Sequence, residues 1–316
     1  MRIVVFGDER RVGAWEGDLI VDLNRADPSL PSELEGFIKM GDDALERARA
    51  AVARVAGAGP AVSARGRVRL HAPAVRRPRI GCAAGNYAEH TLGSARRKGE
   101  SSALGRLGAD AATLTAEEVA QRTRETERPR GFWKDFAIPV GPEDDVTYPA
   151  RAERFDYEGE VASVIGRAAK DVPKGAGGEY IWGITLLNDW SIRGQNVKDS
   201  LSFNLGKNFD GGASVGPCIL VGDVGPADVI VETRVNGELR QRYESGDMIF
   251  SHAEYIEYLS RDLTLLPGDM IAGGSGPGSA TDSAKEGKDL WLKVGDLVEV
   301  SSPRIGTLRN KVIAKR

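Results

Sequence analysis

Cysteine and histidine are both scarce in this sequence. Two cysteines, Cys82 and Cys218, lie far apart among 316 residues, and such a pair indicates neither a disulfide framework nor a thiolate metal site. Histidine occurs three times, so few imidazoles are available for proton transfer. We therefore expect a protein of a reducing compartment, the cytoplasm.

Long apolar runs and an excess of one charge are absent as well. No run approaches about 18 apolar residues, the length that suggests a membrane-spanning helix. The first residues, MRIVVFGDERR, show no apolar segment followed by a cleavage site. Lysine and arginine number 43 against 46 acids, a net charge of −3, which gives no basic patch for nucleic acid or a membrane. We expect a small-molecule partner instead.

The chain divides into two regions of different pattern. Residues 1–72 combine three short strands with a helix interrupted near Gly41 and are expected to form a small N-terminal α/β domain. Residues 73–316 indicate mainly strands and turns, with a strong hairpin signal at Asn236-Gly237 and one clear helix at 251–263. The predicted fold class is α+β and rich in β-structure, since no βαβ alternation occurs.

A polar and basic segment, residues 91–130, interrupts the second region. Within it, Thr115 and Glu118 have the spacing of a capping box at the start of a helix. We predict a solvent-facing helix there, as part of a mobile cover over the ligand.

The stretch FDYEGEVASVIG, residues 155–166, places acids at the start of an apolar strand. Side chains alternate between the faces of a strand, so Glu158 and Glu160 point the same way, with Cα atoms roughly 6.6 Å apart. Gly159 between them suits a crowded approach on the opposite face. The pair is either solvated on an exposed edge strand or partly buried, with its repulsion relieved by a proton or a cation.

A third acid, Asp189, ends the apolar stretch YIWGITLLND. An aspartate at the end of a buried strand is costly unless it has a partner. Two glutamates and one aspartate form a set of hard oxygen ligands that suits Mg²⁺ or Mn²⁺, whereas zinc prefers histidine or cysteine. A carboxylate metal site thus stands beside the solvated alternative.

Three other side chains are candidates for chemistry. His90 closes GNYAEH at a strand-to-loop junction, where catalytic side chains are commonly mounted. Lys207 lies in the glycine-rich stretch GKNFDGGASVGP, either as a solvated loop lysine or as a ligand contact. His252 lies in the first turn of a predicted helix, where a polar residue needs no function. A serine hydrolase is disfavoured, because GGSGP at 273–277 lacks the helix of a nucleophile elbow.

Seven blocks occur in a fixed order: NYAEH, FDYEGEVASVIG, NDWSIRGQ, GKNFDGGASVGP, TRVNGELRQ, LLPGDMI and IGTLRN. In this order they resemble the fumarylacetoacetate hydrolase family over residues 79–314. The resemblance implies a catalytic domain of mixed β-sheets rolled around a metal ion, and a homodimer. It implies that Glu158, Glu160 and Asp189 bind Mg²⁺ or Mn²⁺, with Ca²⁺ as a further candidate, and that His90 and Lys207 are catalytic.

The sequence departs from the family pattern at three places. Many smaller members have a glutamate three residues after the histidine, as an acid–base partner, and here that residue is Gly93. Glu89 or Glu100 could take its place, and we favour Glu100 because adjacent side chains seldom converge. Gly194 replaces a usual aspartate, and GGSG at 273–276 replaces a usual TGTP stretch.

The resemblance implies chemistry on a 2-oxo or diketo acid. The first hypothesis is a metal-dependent hydrolase that cleaves a C–C bond of an acylpyruvate-like diketo acid. The second is a decarboxylase, a tautomerase or isomerase, or a dehydratase that acts on a 2-oxo acid, which the glycine at position 93 favours. The third is a non-catalytic metal-binding protein of the same fold, against which the presence of all five site residues argues.

Overall fold

The structure, a computed structural model, describes residues 1–55, 58–95, 113–135, 138–194, 202–285 and 287–315. Its strands are β1 (Arg2–Phe6), β2 (Arg11–Glu16), β3 (Leu19–Asp22), β4 (Val62–Ala64), β5 (Leu70–His71), β6 (Ile80–Ala83), β7 (Gly131–Lys134), β8 (Val146–Thr147), β9 (Arg154–Asp156), β10 (Gly159–Ile165), β11 (Ile181–Asp189), β12 (Ser191–Arg193), β13 (Ala213–Leu220), β14 (Ile230–Val235), β15 (Glu238–Glu244), β16 (Met270–Ala272), β17 (Leu297–Ser302) and β18 (Gly306–Ile313). Its helices are α1 (Leu23–Ala26), α2 (Leu34–Met40), α3 (Asp42–Val55), α4 (Ala88–Ala95), α5 (Ala116–Thr126), α6 (Ser202–Lys207), α7 (His252–Leu259) and α8 (Ala280–Lys285).

A large mixed sheet forms the centre of the molecule. Its strand order is β4-β3-β2-β1-β13-β11-β10-β16-β6-β7, and β5 pairs with β1 as an eleventh strand. The strands pair antiparallel except β16 and β6, which run parallel with Met270 opposite Ile80. All seven residues of β10 are buried, as its place between β11 and β16 requires. The predicted β-rich α+β class is confirmed.

The N-terminal segment extends this sheet. Its first three strands follow the sequence prediction, and the predicted interrupted helix is α2 and α3, which meet at Gly41. The strand β1 pairs with β13 of the later region, with Ile3 opposite Ile219. One sheet therefore runs through both segments, and the domain boundary near residue 72 stays a prediction.

A second sheet packs against the first. Its order is β15-β14-β17-β18-β8, and β14 and β15 form the predicted hairpin, with φ of 52° at Asn236 and 82° at Gly237. Val161 and Leu186 of the large sheet share one apolar cluster with Val231 and Val300 of the small one. The acidic stretch predicted at 155–166 therefore lies where the two sheets meet.

Helices after Phe155 are more numerous than predicted. The predicted helix at 251–263 is α7, which begins behind a capping box from Ser251. Two six-residue helices, α6 and α8, were not predicted. Both are shorter than two turns, so neither shows the apolar periodicity by which a helix is recognised in sequence. The capping box of Thr115 and Glu118 is confirmed at the start of α5.

None of the helices in the described ranges is long and apolar enough to cross a membrane. The predicted cover lies only partly in these ranges. Its helix α5 is described, whereas residues 96–112 fall outside them.

Gly159 provides a test of how the two sheets meet. A Cβ atom there would lie 2.3 Å from Thr233 Oγ1 and 3.1 Å from a methyl group of Val300. We predict that Gly159→Ala lowers the free energy of unfolding by about 1–3 kcal/mol, as overpacking does, measured by urea denaturation. Gly178→Ala is the control, because nothing lies within 4 Å of the position that its methyl group would take; equal stability of the two variants would contradict the close packing.

Candidate metal centre and proton-transfer pair

Three carboxylates meet at one end of the central strand pair. The strands β10 and β11 run antiparallel with Gly159 opposite Asn188, so Glu158, Glu160 and Asp189 come together. One oxygen of each lies within 4.8 Å of the others, and all three residues are buried. The alternative of an exposed edge strand is wrong, because β10 lies between two other strands.

Backbone contacts hold this end of the strand pair in place. The amide of Glu158 donates to Asn188 Oδ1 at 2.9 Å, and the amide of Asp189 donates to the carbonyl of Glu158 at 2.8 Å. The amide of Gly274, which follows β16, donates to Glu160 Oε2 at 2.9 Å. The three acids are therefore fixed by neighbouring strands as well as by their own.

Lys207 lies directly against the acids. Its Nζ donates to Asp189 Oδ2 at 2.7 Å, to Ser191 Oγ at 2.6 Å, and to Glu158 Oε2. The residue ends α6 and is only 5% exposed. The alternative of a solvated loop lysine is therefore wrong.

Lys134 is a second buried lysine at this cluster, and it was not predicted from the sequence. Its Nζ lies 2.6 Å from Asp189 Oδ1 and donates to the carbonyls of Lys207 and Gly212 at 2.6 and 2.7 Å. It ends the strand β7, GFWK. A lysine after two aromatic residues in a short strand was the signal that could have identified it.

Arg193 is the third base of the cluster, and it too had no predicted role. Its Nη2 donates to Glu158 Oε1 at 2.6 Å, and its Nε donates to Asp156 Oδ2 at 3.1 Å. One guanidinium therefore bridges two of the acids in FDYEGE. It lies in the block NDWSIRGQ, for which the sequence predicted a role of Asp189 alone.

These contacts decide the charges of two residues. Burial disfavours the ionised form of Glu158, but Lys207 and Arg193 outweigh burial and, with a smaller effect of His90, lower the pKa of this carboxyl. Burial likewise disfavours the ammonium of Lys207, but Asp189 and Glu158 outweigh it and raise the pKa of the lysine. Glu158 is therefore ionised and Lys207 is protonated at neutral pH.

Glu160 has the opposite environment. Burial, followed by the negative charges of Asp189 and Glu158, raises the pKa of Glu160 well above its usual range. Among the described residues, no lysine or arginine forms an ion pair with Glu160. Each of the other buried acids forms at least one such pair: Asp156, Glu158 and Asp189. Across the described ranges, four buried acids thus face three bases, and Glu160 is the acid that favours its neutral form.

His90 pairs with an acid that the sequence did not indicate. Its Nδ1 lies 2.8 Å from Asp282 Oδ2, and both side chains are largely buried. That oxygen also accepts from the amides of Gly278 at 3.1 Å and Ser279 at 3.2 Å. The favoured partner Glu100 lies outside the described residues, and Asp282 has the place next to His90 in the described part of the chain.

The parallel strands β6 and β16 explain this pairing. His90 follows β6 along the chain and Asp282 follows β16, and the ends of paired parallel strands meet at one edge of a sheet. The two residues are 192 positions apart in sequence, so no local pattern could have joined them.

His252 takes no part in this site in the described structure. It is fully buried, with Nδ1 2.9 Å from Ser163 Oγ, and burial lowers the pKa of its imidazole to about 4. The interpretation of His252 as a residue of the fold rather than of the site agrees with these contacts.

Comparisons with known proteins bear on the fold and the family of the chain. Residues 79–313 match the family model described as fumarylacetoacetate (FAA) hydrolase C-terminal. The mitochondrial oxaloacetate tautomerase Fahd2a of Rattus norvegicus is 30% identical over 99% of this chain and 92% of its own. The structure of a fumarylacetoacetate hydrolase from Exiguobacterium antarcticum covers 100% of both chains at 28% identity, with a TM-score of 0.72.

A third relative shows the fold together with a metal ion. The maleylpyruvate hydrolase of Sphingobium sp. SYK-6, solved with manganese(II) and pyruvate, is 24% identical over 100% of both chains, with a TM-score of 0.70. The family model spans most of this chain, and the full-length relatives share its architecture. The chain therefore belongs to the fumarylacetoacetate hydrolase family.

Proposed function

We propose that the chain is a metal-dependent tautomerase that interconverts the keto and enol forms of a 2-oxo diacid such as oxaloacetate. The observation that carries this proposal is geometric: the oxygens of Glu158, Glu160 and Asp189 converge as a possible cation site, and His90 has a carboxylate, Asp282, at its Nδ1. The carboxylates would attract a cation, and the imidazole of His90 would provide a base. Similarity to an oxaloacetate tautomerase over 99% of this chain supports the choice of substrate.

The metal would be held by Glu158, Glu160 and Asp189. Their oxygens are close enough to share one ion, all three are hard ligands that suit Mg²⁺ or Mn²⁺, and Glu160 lacks a described basic partner. When bound, the ion supplies Lewis acidity towards a carbonyl oxygen.

Lys207 would act as a fixed positive charge. The neighbouring acids keep its ammonium protonated, so it is unsuited to be the base. A protonated amine at this position stabilises negative charge that develops on a substrate oxygen, and burial strengthens this effect.

His90 would move the proton. A carboxylate at Nδ1 accepts from the ring, so the Asp282 contact fixes the tautomer in which Nε2 is the basic nitrogen. Nε2 can then take a proton from the carbon next to the carbonyl and return one to carbon or oxygen. Tautomerisation needs no more than this transfer.

Hydrolysis of an acylpyruvate is the second candidate. The glycine at position 93 weakened this hypothesis, because a histidine that activates water is most effective beside an acid. The contact of His90 with Asp282 supplies such an acid, and the Exiguobacterium antarcticum relative is a hydrolase by name. The homodimer and the cytoplasmic location stay predictions.

The first test concerns the metal. Because burial and its acidic neighbours favour the neutral form of Glu160, Glu160→Gln is expected to fold normally but to lose the ion. At 100 times its dissociation constant, Mg²⁺ or Mn²⁺ should add about 2.7 kcal/mol to the stability of the unaltered protein, which raises Tm by about 5 °C. Glu160→Gln should show no rise.

The matched control for this experiment is Glu46→Gln, at an exposed position of α3. It should respond to the ion like the unaltered protein. A rise in Tm of the same size in Glu160→Gln would place the ion elsewhere. Glu158→Gln and Asp189→Asn should lose the response and the activity too, and full activity after exhaustive chelation would rule out the metal proposal.

The second test concerns His90. His90→Asn should lower kcat by about 10²–10⁴-fold, the usual contribution of a general acid–base group, while calorimetry shows unchanged Mg²⁺ binding. His71→Asn is the control, since His71 contacts Gly7 in the N-terminal segment. Intact activity in His90→Asn would move the proton transfer to another group.

The third test separates the two reactions. With Mg²⁺, the protein should accelerate loss of the enol absorbance of oxaloacetate without forming pyruvate or carbon dioxide. Acetylpyruvate, assayed in parallel, yields acetate and pyruvate only if the protein is a hydrolase. Release of carbon dioxide from oxaloacetate would identify a decarboxylase and end the tautomerase proposal.

A further inference from the structure

Asp156 is the acid of FDYEGE for which the proposed function has no use. It ends β9, two residues before Glu158, and it is completely buried. It is not one of the three residues whose oxygens converge as a possible metal site. A buried carboxylate of this kind is costly unless several donors satisfy it.

One set of donors comes from the start of α8. Asp156 Oδ1 accepts from the amide of Ala280 at 2.8 Å. Asp156 Oδ2 accepts from the hydroxyl of Thr281 at 2.6 Å and from its amide at 3.3 Å. The next residue along the chain is Asp282, the partner of His90. Asp156 therefore fixes the backbone immediately before that acid.

The other contact leads to the metal candidates. Arg193 Nε donates to Asp156 Oδ2 at 3.1 Å, and Nη2 of the same guanidinium donates to Glu158 Oε1 at 2.6 Å. The strands that carry these groups are paired, with Arg193 opposite Arg154 and Ser191 opposite Asp156. Through this one guanidinium, Asp156 is connected to Glu158.

We infer that Asp156 is a positioning residue that holds the His90–Asp282 pair in a fixed place relative to the Glu158 end of the acid cluster. It touches neither the proposed metal ion nor the reacting atoms. It acts through the start of α8 on one side and through Arg193 on the other. A shift of about 1 Å in such a group can cost about 10²-fold in rate.

Asp156→Asn tests the inference. Asparagine keeps one acceptor oxygen but replaces the other with an amide that cannot accept from Arg193 and Thr281. We expect kcat for oxaloacetate tautomerisation to fall by about 10²-fold with little change in KM. Mg²⁺ affinity, measured by calorimetry, should stay within about threefold, because the three candidate ligands are unchanged.

Asp22→Asn is the matched control. Asp22 is also a buried aspartate, pairs with an arginine, Arg11, at 2.7 Å, and accepts from the amide of Arg25 at the start of a short helix. It lies in the N-terminal segment, away from the site residues. Asp22→Asn should lose stability as Asp156→Asn does but keep kcat.

A second readout does not depend on activity. The chain has three histidines, so ¹⁵N spectra of the imidazoles can be assigned with His90→Asn. The Nδ1-protonated form of His90 should dominate in the unaltered protein and in Asp22→Asn, and it should give way to a mixture in Asp156→Asn. Thr281→Val, which removes only the hydroxyl donor, should show the same change to a smaller extent.

The inference rests on the proposed function only for the kinetic readout. If the unaltered protein does not tautomerise oxaloacetate, that function fails, and the imidazole spectra still decide the role of Asp156. An unchanged His90 spectrum in Asp156→Asn, or an equal change in Asp22→Asn, would overturn the inference. If Asp156→Asn does not fold, an unchanged spectrum in Thr281→Val would overturn it as well.

Discussion

Burial of four carboxylates at one end of the central sheet is the constraint on which the arrangement of the site depends. Each charge that leaves water must be compensated, because the desolvation of an isolated ion costs several kcal/mol. Lys134, Arg193 and Lys207 compensate Asp156, Glu158 and Asp189. The remaining acid, Glu160, has no basic partner among the described residues and favours its neutral form; a bound cation would supply the positive charge that its ionised form lacks.

The three bases come from three separate elements. Lys134 ends β7, Arg193 ends β12 and Lys207 ends α6, so the acid cluster ties the edge of the large sheet and a short helix to its centre. Removal of Arg193 would leave the buried Asp156 without its described counter-charge, which costs more than the pair contributes. The stability of the fold and the proposed cation site therefore depend on the same contacts.

The sequence allowed the acids to be predicted better than their surroundings. Glu158 and Glu160 are two residues apart, as side chains on one face of a strand are, and Asp189 ends a recognisable apolar strand. The hairpin at Asn236-Gly237 was predicted from an equally local signal, the Asn-Gly dipeptide. The partner of His90 was not predictable in this way, because Asp282 reaches it only through the pairing of two strands far apart in sequence. The burial of Lys207 was undecided for the same reason, since glycine-rich loops are usually solvated.

The one parallel pair in the described part of the large sheet decides which segments of the chain can supply an acidic partner to His90. The chain leaves β6 and β16 at the same edge, so two segments border the same imidazole, one that carries His90 itself and one that carries Asp282. The second segment can therefore supply an acid to the imidazole although residue 93 of the first segment is a glycine. The lack of an acid in the sequence next to His90 therefore need not mean that this histidine lacks an acidic partner.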